Sequence, residues 1–304
     1  MIFSLILAGK EIADFLLHDI RVKVKDLTKR MNRSPCLALL EVGDNNYSAR
    51  YLSKKEDLAK SLEIKVIRKK LEENISQTDL IKIVAELGAT SSVDSILVQL
   101  PLPDHIKTSD IIRVIPPAKD VDALHPDNLG VLFDKIPESD YEDSLILYPP
   151  TASGVLELIL HARSDLSGST DISGLNALVI GRSKLVGLPV ALLLLKYGAT
   201  VNIAHSLTPP ETFKRLIKQA DIIVSAAGSP GIVHGDMISP GVILINVGMT
   251  YSSMNKINGD IDYDSCVKIA GAITPTPGGV GPLTLAMLMK NVLQSSEYQF
   301  NNRK

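Results

Sequence analysis

Residues 175–190, LNALVIGRSKLVGLPV, constrain the fold more than any other stretch of this chain. An apolar run over 175–180 reads as a buried strand and breaks at Gly181. A short loop with Arg182, Ser183 and Gly187 follows. Pro189 then opens a second apolar run, which reads as a helix over 190–197 with Gly198 as its stop. Strand, glycine loop and helix in that order is how α/β proteins aim backbone N–H groups at a phosphate. The spacing is Gly-x-Ser-x-x-x-Gly and not Gly-x-Gly-x-x-Gly, so the surrounding residues must identify the ligand.

Those residues favour one dinucleotide over another. The next strand reads over 200–204. A site for NAD places an acid at the end of this second strand, about 20 residues past the loop, to hold the ribose hydroxyls. Here His205 and Ser206 take that place, with no carboxylate nearby. Arg182 stands beside the first loop glycine. An arginine with neutral hydroxyl and imidazole groups suits the extra 2′-phosphate of NADP, which an acid would repel. The expected cofactor is NADP.

A chain of 304 residues is long enough for two domains with separate cores. Hydrophobic residues make up 45% and charged residues 22%, an ordinary balance for a globular protein. The net charge of −2, with no Lys/Arg block, argues against a nucleic-acid partner. Cys36 and Cys266 match no metal spacing and read as reduced thiols of a cytoplasmic protein. The six histidines are scattered, so no metal site is expected. MIFSLILAGKE lacks a basic leader and a cleavage pattern and reads as a first strand. No apolar stretch is long enough to span a membrane.

Strands and helices alternate along the chain, which predicts parallel sheets covered by helices. Apolar residues from Ile12 to Met31 recur at helical spacing. The spacing then predicts a strand over 36–42, a helix over 47–62 and a strand over 64–69. Ser76 reads as the cap of a helix that Gly88 stops, followed by a strand over 93–100 and a short helix over 109–115. Residues 130–150 read as a connection. Beyond them come a helix over 154–163 and the strand–loop–helix unit described above. A helix over 211–219, strands over 221–226 and 242–247 and a final helix over 285–293 complete the chain. The loop TPTPGGVGPLT before that last helix holds three prolines and three glycines, which fixes its shape.

In open α/β sheets ligands sit beyond the carboxyl ends of strands, and several polar residues fall there. Tyr51 and Lys55 share one helix face; Gln99 ends an apolar run; Asp122 follows Val121 of a short extended segment. Singly each has a plain alternative, as a solvated helix lysine, a strand-end cap or a turn former.

Together with their neighbours they carry a resemblance. The motifs Ser48-x-x-Tyr51-x-x-x-Lys55, VQLPLP over 98–103 and Lys119-Asp120-Val121-Asp122 occur in that order. Gly181-Arg182-Ser183-x-x-Val186-Gly187-x-Pro189 and PGGVGP over 277–282 follow them. This order resembles the bifunctional methylenetetrahydrofolate dehydrogenase/methenyltetrahydrofolate cyclohydrolase family over nearly the whole chain.

The resemblance implies an N-terminal three-layer α/β domain over 1–148 that binds the folate. It also implies a Rossmann-like domain over 149–282 that binds NADP, a cleft between them, and a final helix over 283–304 packing back on the first domain. It implies oxidation of 5,10-methylenetetrahydrofolate followed by hydrolysis of the methenyl product to 10-formyltetrahydrofolate, in one-carbon metabolism. Lys55 matches the catalytic lysine, Gln99 the residue that positions it, Tyr51 the ring that packs on the folate and Asp122 the carboxylate that grips the pterin. Thr151, Arg182, Ser183 and Ser206 match cofactor contacts. Gly278, Gly279 and Pro282 match shape-setting positions where substrate and nicotinamide meet. The family also implies a homodimer.

The chain departs from the family pattern at several points. Ala8 replaces the aspartate of Asp-Gly-Lys, and Ala123 replaces the glycine after the pterin carboxylate. Pro-Cys-Thr-Pro appears as Pro149-Pro150-Thr151-Ala152, Asn246 stands where an aspartate is common, and Met249 where isoleucine is. These leave two further readings: a dehydrogenase with weak or lost cyclohydrolase activity, and a non-catalytic nucleotide-binding module. The presence of Tyr51, Lys55, Gln99 and Asp122 together argues against the module.

Overall fold

The computed structural model describes residues 4–44, 46–134, 145–251 and 257–302. Residues 1–3 of the expected first strand and 135–144 of the expected connection lie outside the described residues.

In chain order the strands are β1 (Leu5–Ile6), β2 (Cys36–Val42), β3 (Lys65–Leu71), β4 (Ser95–Val98), β5 (Asn176–Ile180) and β6 (Thr200–Ala204). They continue as β7 (Ile222–Ser225), β8 (Ile243–Asn246), β9 (Met249–Tyr251), β10 (Ile257–Gly259) and β11 (Ala272–Ile273). The helices begin with α1 (Gly9–Met31), α2 (Asn46–Ser61), α3 (Gln77–Ala89), α4 (Thr108–Ile112) and α5 (Pro126–Asp134). Then come α6 (Pro150–Ser167), α7 (Gly187–Lys196), α8 (Pro210–Gln219), α9 (Tyr263–Cys266) and α10 (Val280–Asn301).

The chain divides into two compact units. The N-terminal unit is built on Phe15–Val131 and takes in the chain end from Leu285. Its sheet has the order β3-β2-β4, with both pairings parallel. Every residue of β2 is buried, and the strand period of two sends alternate side chains into two cores. Leu37 and Leu39 meet Val24 and Leu27 of α1, Leu52 of α2, and Leu288 and Val292 of α10. Cys36, Ala38 and Leu40 meet Leu80 and Val84 of α3 and Ile111 of α4 on the other face. Helix, sheet and helix therefore form three layers. Ser76 caps α3, its hydroxyl accepting the Asp79 N–H at 3.1 Å.

Gly88 does not stop α3: the helix runs on to Ala89, with Thr90 as its C-cap. The glycine is there for packing, since a Cβ would come within 2.9 Å of Pro116 Cδ. The buried Lys119 ammonium closes the helix end instead, donating to the Gly88 and Thr90 carbonyls at 2.8 and 2.9 Å. The strand expected over 93–100 is trimmed to β4, and Asp94 just before it turns its carboxylate inward. There it accepts both Arg33 guanidinium arms at 2.7 Å and the Cys36 N–H at 2.9 Å.

The C-terminal unit holds Pro149–Thr284 together with the chain up to Asp14. Its sheet is six-stranded and parallel throughout, in the order β1-β11-β8-β7-β5-β6. The N-terminal residues join it because Leu5 and Ile6 pair with Ala272 and Ile273, so the boundary drawn at 148 does not describe residues 4–14. Leu178, Ile180, Ile223, Leu244 and Ile273 share one core with Ile217 of α8. From β5 the chain goes to β6 on one side and later returns to β7 on the other. That reversal is where open α/β sheets bind ligands. One pairing escaped the expectation of parallel strands only: β9 and β10 form an antiparallel pair.

Candidate functional site

Four of the expected residues converge at the carboxyl end of the N-terminal unit's sheet. The α2 helix starts after β2 and carries Tyr51 and Lys55 one turn apart, while Gln99 directly follows β4. The Gln99 N–H bonds the Leu40 carbonyl at 2.8 Å, extending the ladder by one residue and fixing where its side chain begins. Lys55 Nζ donates to Gln99 Oε1 at 3.1 Å. Gln99 Nε2 donates to the Leu100 carbonyl at 2.7 Å, so the amide keeps its oxygen toward the lysine. The same ammonium lies 5.0 Å from the Tyr51 ring centroid. The Ser48 side chain lies outside the described residues.

Lys55 is only 5% exposed. Burial lowers its pKa from the ordinary lysine value, and the Asp122 charge opposes that fall. Burial also raises the Tyr51 pKa, with Asp122 adding to the rise, so the phenol stays protonated. Asp122 thus sits close enough to act on both groups. Its place is set by a buried scaffold. Asp120 makes an isolated parallel bridge with Ile96 of β4 and accepts the His125 N–H at 2.6 Å and the Asn128 amide at 3.2 Å. Burial pushes the Asp120 carboxyl up to about 6 against these bonds. Ala123, where a glycine is usual, is buried and held at φ +54°, the left-handed region that explains the usual glycine.

Reasoning from sequence missed the residues that hold this segment from the last helix. Asn291 of α10 donates to the Val121 and Tyr148 carbonyls at 2.8 and 2.9 Å. The Ser295 hydroxyl faces the Asp94 and Ala118 carbonyls, and the Gln299 amide donates to Asp94. A signal was present: Asn291, Ser295 and Gln299 recur every four residues, a polar stripe on a helix otherwise buried by apolar residues.

The second group of expected residues lies in the C-terminal unit. Gly181 has φ +121°, and a Cβ there would strike the Ala226 carbonyl oxygen. A Cβ on Gly187 would strike the Gly181 carbonyl oxygen, so the 181–187 loop closes only with glycine at both ends. The loop does not leave the N–H groups at the start of α7 free, as the strand–loop–helix order suggested. Ser183 Oγ accepts the Val186 and Gly187 N–H groups at 3.2 and 3.4 Å, and the Ser183 carbonyl accepts the Leu188 N–H at 3.0 Å. The exposed Ser183 hydroxyl proton and Arg182 guanidinium can still donate to a ligand. His205 accepts the Leu207 N–H on Nδ1 at 3.2 Å, in the turn that presents Ser206 to solvent.

Thr151 lies in the first turn of α6, its hydroxyl 3.5 Å from that of Thr284. The Gly278–Gly279 turn abuts the chain start: Gly9 N–H bonds the Gly278 carbonyl at 3.0 Å, and a Cβ on Gly9 would strike Gly279. Pro282 follows at the start of α10, half-buried. Asn246 suits its place. Its amide donates to the Gly248 carbonyl at 2.9 Å and to Thr276 at 2.7 Å, while its oxygen accepts the Ile261 N–H at 3.1 Å. An aspartate could not make the first of these bonds. Among the described residues no group of three or more His, Cys, Asp or Glu side chains could hold a metal ion.

Both units resemble known proteins. Residues 7–122 match the family model for the tetrahydrofolate dehydrogenase/cyclohydrolase catalytic domain, and residues 149–300 the one for its NAD(P)-binding domain. Bifunctional protein FolD of Acetivibrio thermocellus is 40% identical over 294 residues, 97% of each chain. The crystal structure of the FolD methylenetetrahydrofolate dehydrogenase/cyclohydrolase of Campylobacter jejuni is 38% identical. It superposes with a TM-score of 0.89, covering 99% of this chain and 100% of that one. The Trypanosoma brucei enzyme, crystallised with NADP and an inhibitor, is 34% identical with a TM-score of 0.89 over 100% of both chains.

Proposed function

The chain belongs to the tetrahydrofolate dehydrogenase/cyclohydrolase family, and from that premise we propose how its own residues divide the work. The protein is an NADP-dependent enzyme that oxidises 5,10-methylenetetrahydrofolate to the methenyl compound and hydrolyses that to 10-formyltetrahydrofolate. Lys55 is the base of the hydrolytic step, Gln99 aims it, Tyr51 packs on the folate and Asp122 holds the pterin. Arg182, Ser183, His205, Ser206 and Thr151 hold NADP, and Gly181 and Gly187 shape the loop beneath it. Gly278, Gly279 and Pro282 shape the substrate side of the nicotinamide site.

The observation that carries this reading is the buried Lys55 amine, hydrogen-bonded to Gln99 at 3.1 Å. Water adding to the bridging carbon of the methenyl cation must lose a proton, and the acceptor must be neutral beforehand. Burial lowers the Lys55 pKa and so supplies a neutral fraction. Gln99 Oε1 takes an N–H of the amine and turns its lone pair away from itself. The proton moves from the attacking water to Lys55 Nζ as a C–O bond forms. The C–N5 bond then breaks, N5 takes that proton back from Lys55, the new hydroxyl gives its own proton to solvent, and the formyl group stays on N10. Asp122 offers two acceptor oxygens to the ring N–H and amino group of the pterin, which fixes the bridging carbon relative to Lys55.

The residues on the C-terminal unit fit NADP. Glycine at both ends lets the 181–187 backbone close tightly on itself, and Ser183 keeps a hydroxyl proton to donate to a phosphate oxygen. NADP, when bound, supplies the hydride acceptor for the methylene carbon. Arg182 pairs the 2′-phosphate, and Ser206 donates to it from the next strand end.

We infer a homodimer that covers the edge of the six-stranded sheet. There β6 exposes Ile203, and Leu195 and Tyr197 at the end of α7 are exposed as well. No described helix is long and apolar enough to cross a membrane. Cys36 and Cys266 are free thiols, which supports the reducing cytoplasm.

The test is to mix the purified protein with NADP and methylenetetrahydrofolate and follow NADPH and the methenyl chromophore in parallel. NADPH without lasting methenyl is expected. Persistent methenyl would leave a dehydrogenase alone, and no NADPH would leave only a binding module.

A further inference from the structure

One buried charge at the cofactor end of the C-terminal sheet is used by nothing above. Asp260 directly follows β10, and it is fully buried. Its Oδ2 accepts the Ser225 hydroxyl at 3.0 Å, the Ala227 N–H at 2.7 Å and the Gly228 N–H at 3.2 Å. Its Oδ1 accepts the Ser229 N–H at 2.8 Å. Three consecutive backbone N–H groups closing on one carboxylate make the concavity with which proteins bind anions, here filled by the chain's own side chain. Room for it is kept on the opposite side, since a Cβ on Gly248 would run into the carboxylate. Asn246 anchors the next residue by accepting the Ile261 N–H at 3.1 Å.

The segment gripped in this way is the one that the phosphate loop leans on. The Ala226 N–H bonds the Ile180 carbonyl at 2.7 Å, immediately before Gly181. The Ala226 carbonyl oxygen occupies the space where a Gly181 Cβ would stand. The two loops leave adjacent parallel strands, β7 and β5, at the point where the strand order reverses.

We propose that Asp260 is a positioning residue for NADP: its bonds to the Ser225 hydroxyl and the 227–229 N–H groups fix the segment on either side of Ala226, and that segment fixes the shape of the 181–187 loop. The proposal rests on the reading of that loop as the NADP site. Without the carboxylate, three consecutive N–H groups lose their acceptor together and the segment loses the anchor that holds its shape. Asparagine at 260 would keep one oxygen but turn an NH2 group onto N–H donors.

The experiment is a calorimetric titration of the full-length protein with NADP, beside cofactor-free hydrolysis of methenyltetrahydrofolate, which reads the N-terminal unit's chemistry. In Asp260→Asn the NADP Kd should rise about tenfold, while methenyl hydrolysis stays within about twofold of the parent. If that variant does not fold, Ser225→Ala decides. It removes one of the four donors and should raise the Kd about threefold. A folded variant that binds NADP as the parent does would overturn the proposal. So would a parallel loss of hydrolysis, which would make Asp260 a general structural residue. Failure of the parent itself to bind NADP would instead overturn the reading of the cofactor site.

Discussion

A lysine buried to 5% exposure needs a reason, and three neighbours supply one. Gln99 takes one of its protons, Tyr51 offers a ring face, and Asp122 keeps the ammonium from being lost altogether. The sign of the pH dependence follows. A base must be unprotonated, so methenyl hydrolysis should rise with pH to a midpoint below the ordinary lysine value of about 10.4. Asp122 favours the charged amine, so Asp122→Asn should move that midpoint lower still; a kcat–pH profile of both proteins checks it, and a shift upward would be incompatible. These groups were legible in the sequence only as strand-end and helix-face residues, and the family motif joined them. Ala123 was legible as a departure, but its consequence was not, because it depends on φ. Changing it to glycine relieves left-handed strain of about 1–2 kcal/mol. It also removes a buried methyl worth about 0.8 kcal/mol and frees the unfolded chain by about 0.4–1 kcal/mol. Ala123→Gly should therefore sit within about 1 kcal/mol of the parent in urea unfolding, which explains why alanine is tolerated here.

Elements act through the places where they touch. The strand–loop–helix from β5 to α7 was readable because an apolar strand, two glycines and a proline leave little other choice. How the loop satisfies its own N–H groups was not, since that depends on the Ser183 rotamer. Gly187→Ala should force the loop open against the Gly181 carbonyl and weaken NADP about tenfold or more in a binding titration. Methenyl hydrolysis should stay near the parent rate, and unchanged NADP affinity would show that the loop tolerates a Cβ. Midway along its length, α10 holds the Asp122 segment through Asn291. Asn291→Leu removes the amide that donates to both carbonyls and should destabilise the protein by about 1–3 kcal/mol. The methenyltetrahydrofolate KM should rise as well; a variant as stable as the parent would contradict this role. That polar stripe went unread because single-sequence periodicity finds the apolar face of a helix, not the polar atoms buried within it.

For the whole molecule, alternating strands and helices indicated two parallel sheets from the sequence alone. What stayed hidden were pairings between distant residues: Leu5 with Ala272 puts the chain start into the C-terminal sheet, and two hydrophobic residues give no hint of their partner. The β9–β10 pair was hidden for a different reason, since each strand has only three residues. The open edge at β6 predicts the oligomeric state. Ile203→Lys places a charge on that edge and should convert a dimer to a monomer in sedimentation equilibrium, with both activities measurable in the product. The measurement closest to the centre of this account is cofactor-free hydrolysis of methenyltetrahydrofolate by Lys55→Met, with an NADP titration on the same preparation. The account predicts a rate at least about 100-fold below the parent, with NADP affinity unchanged. A variant that binds NADP normally and still clears methenyltetrahydrofolate at the parent rate would contradict it.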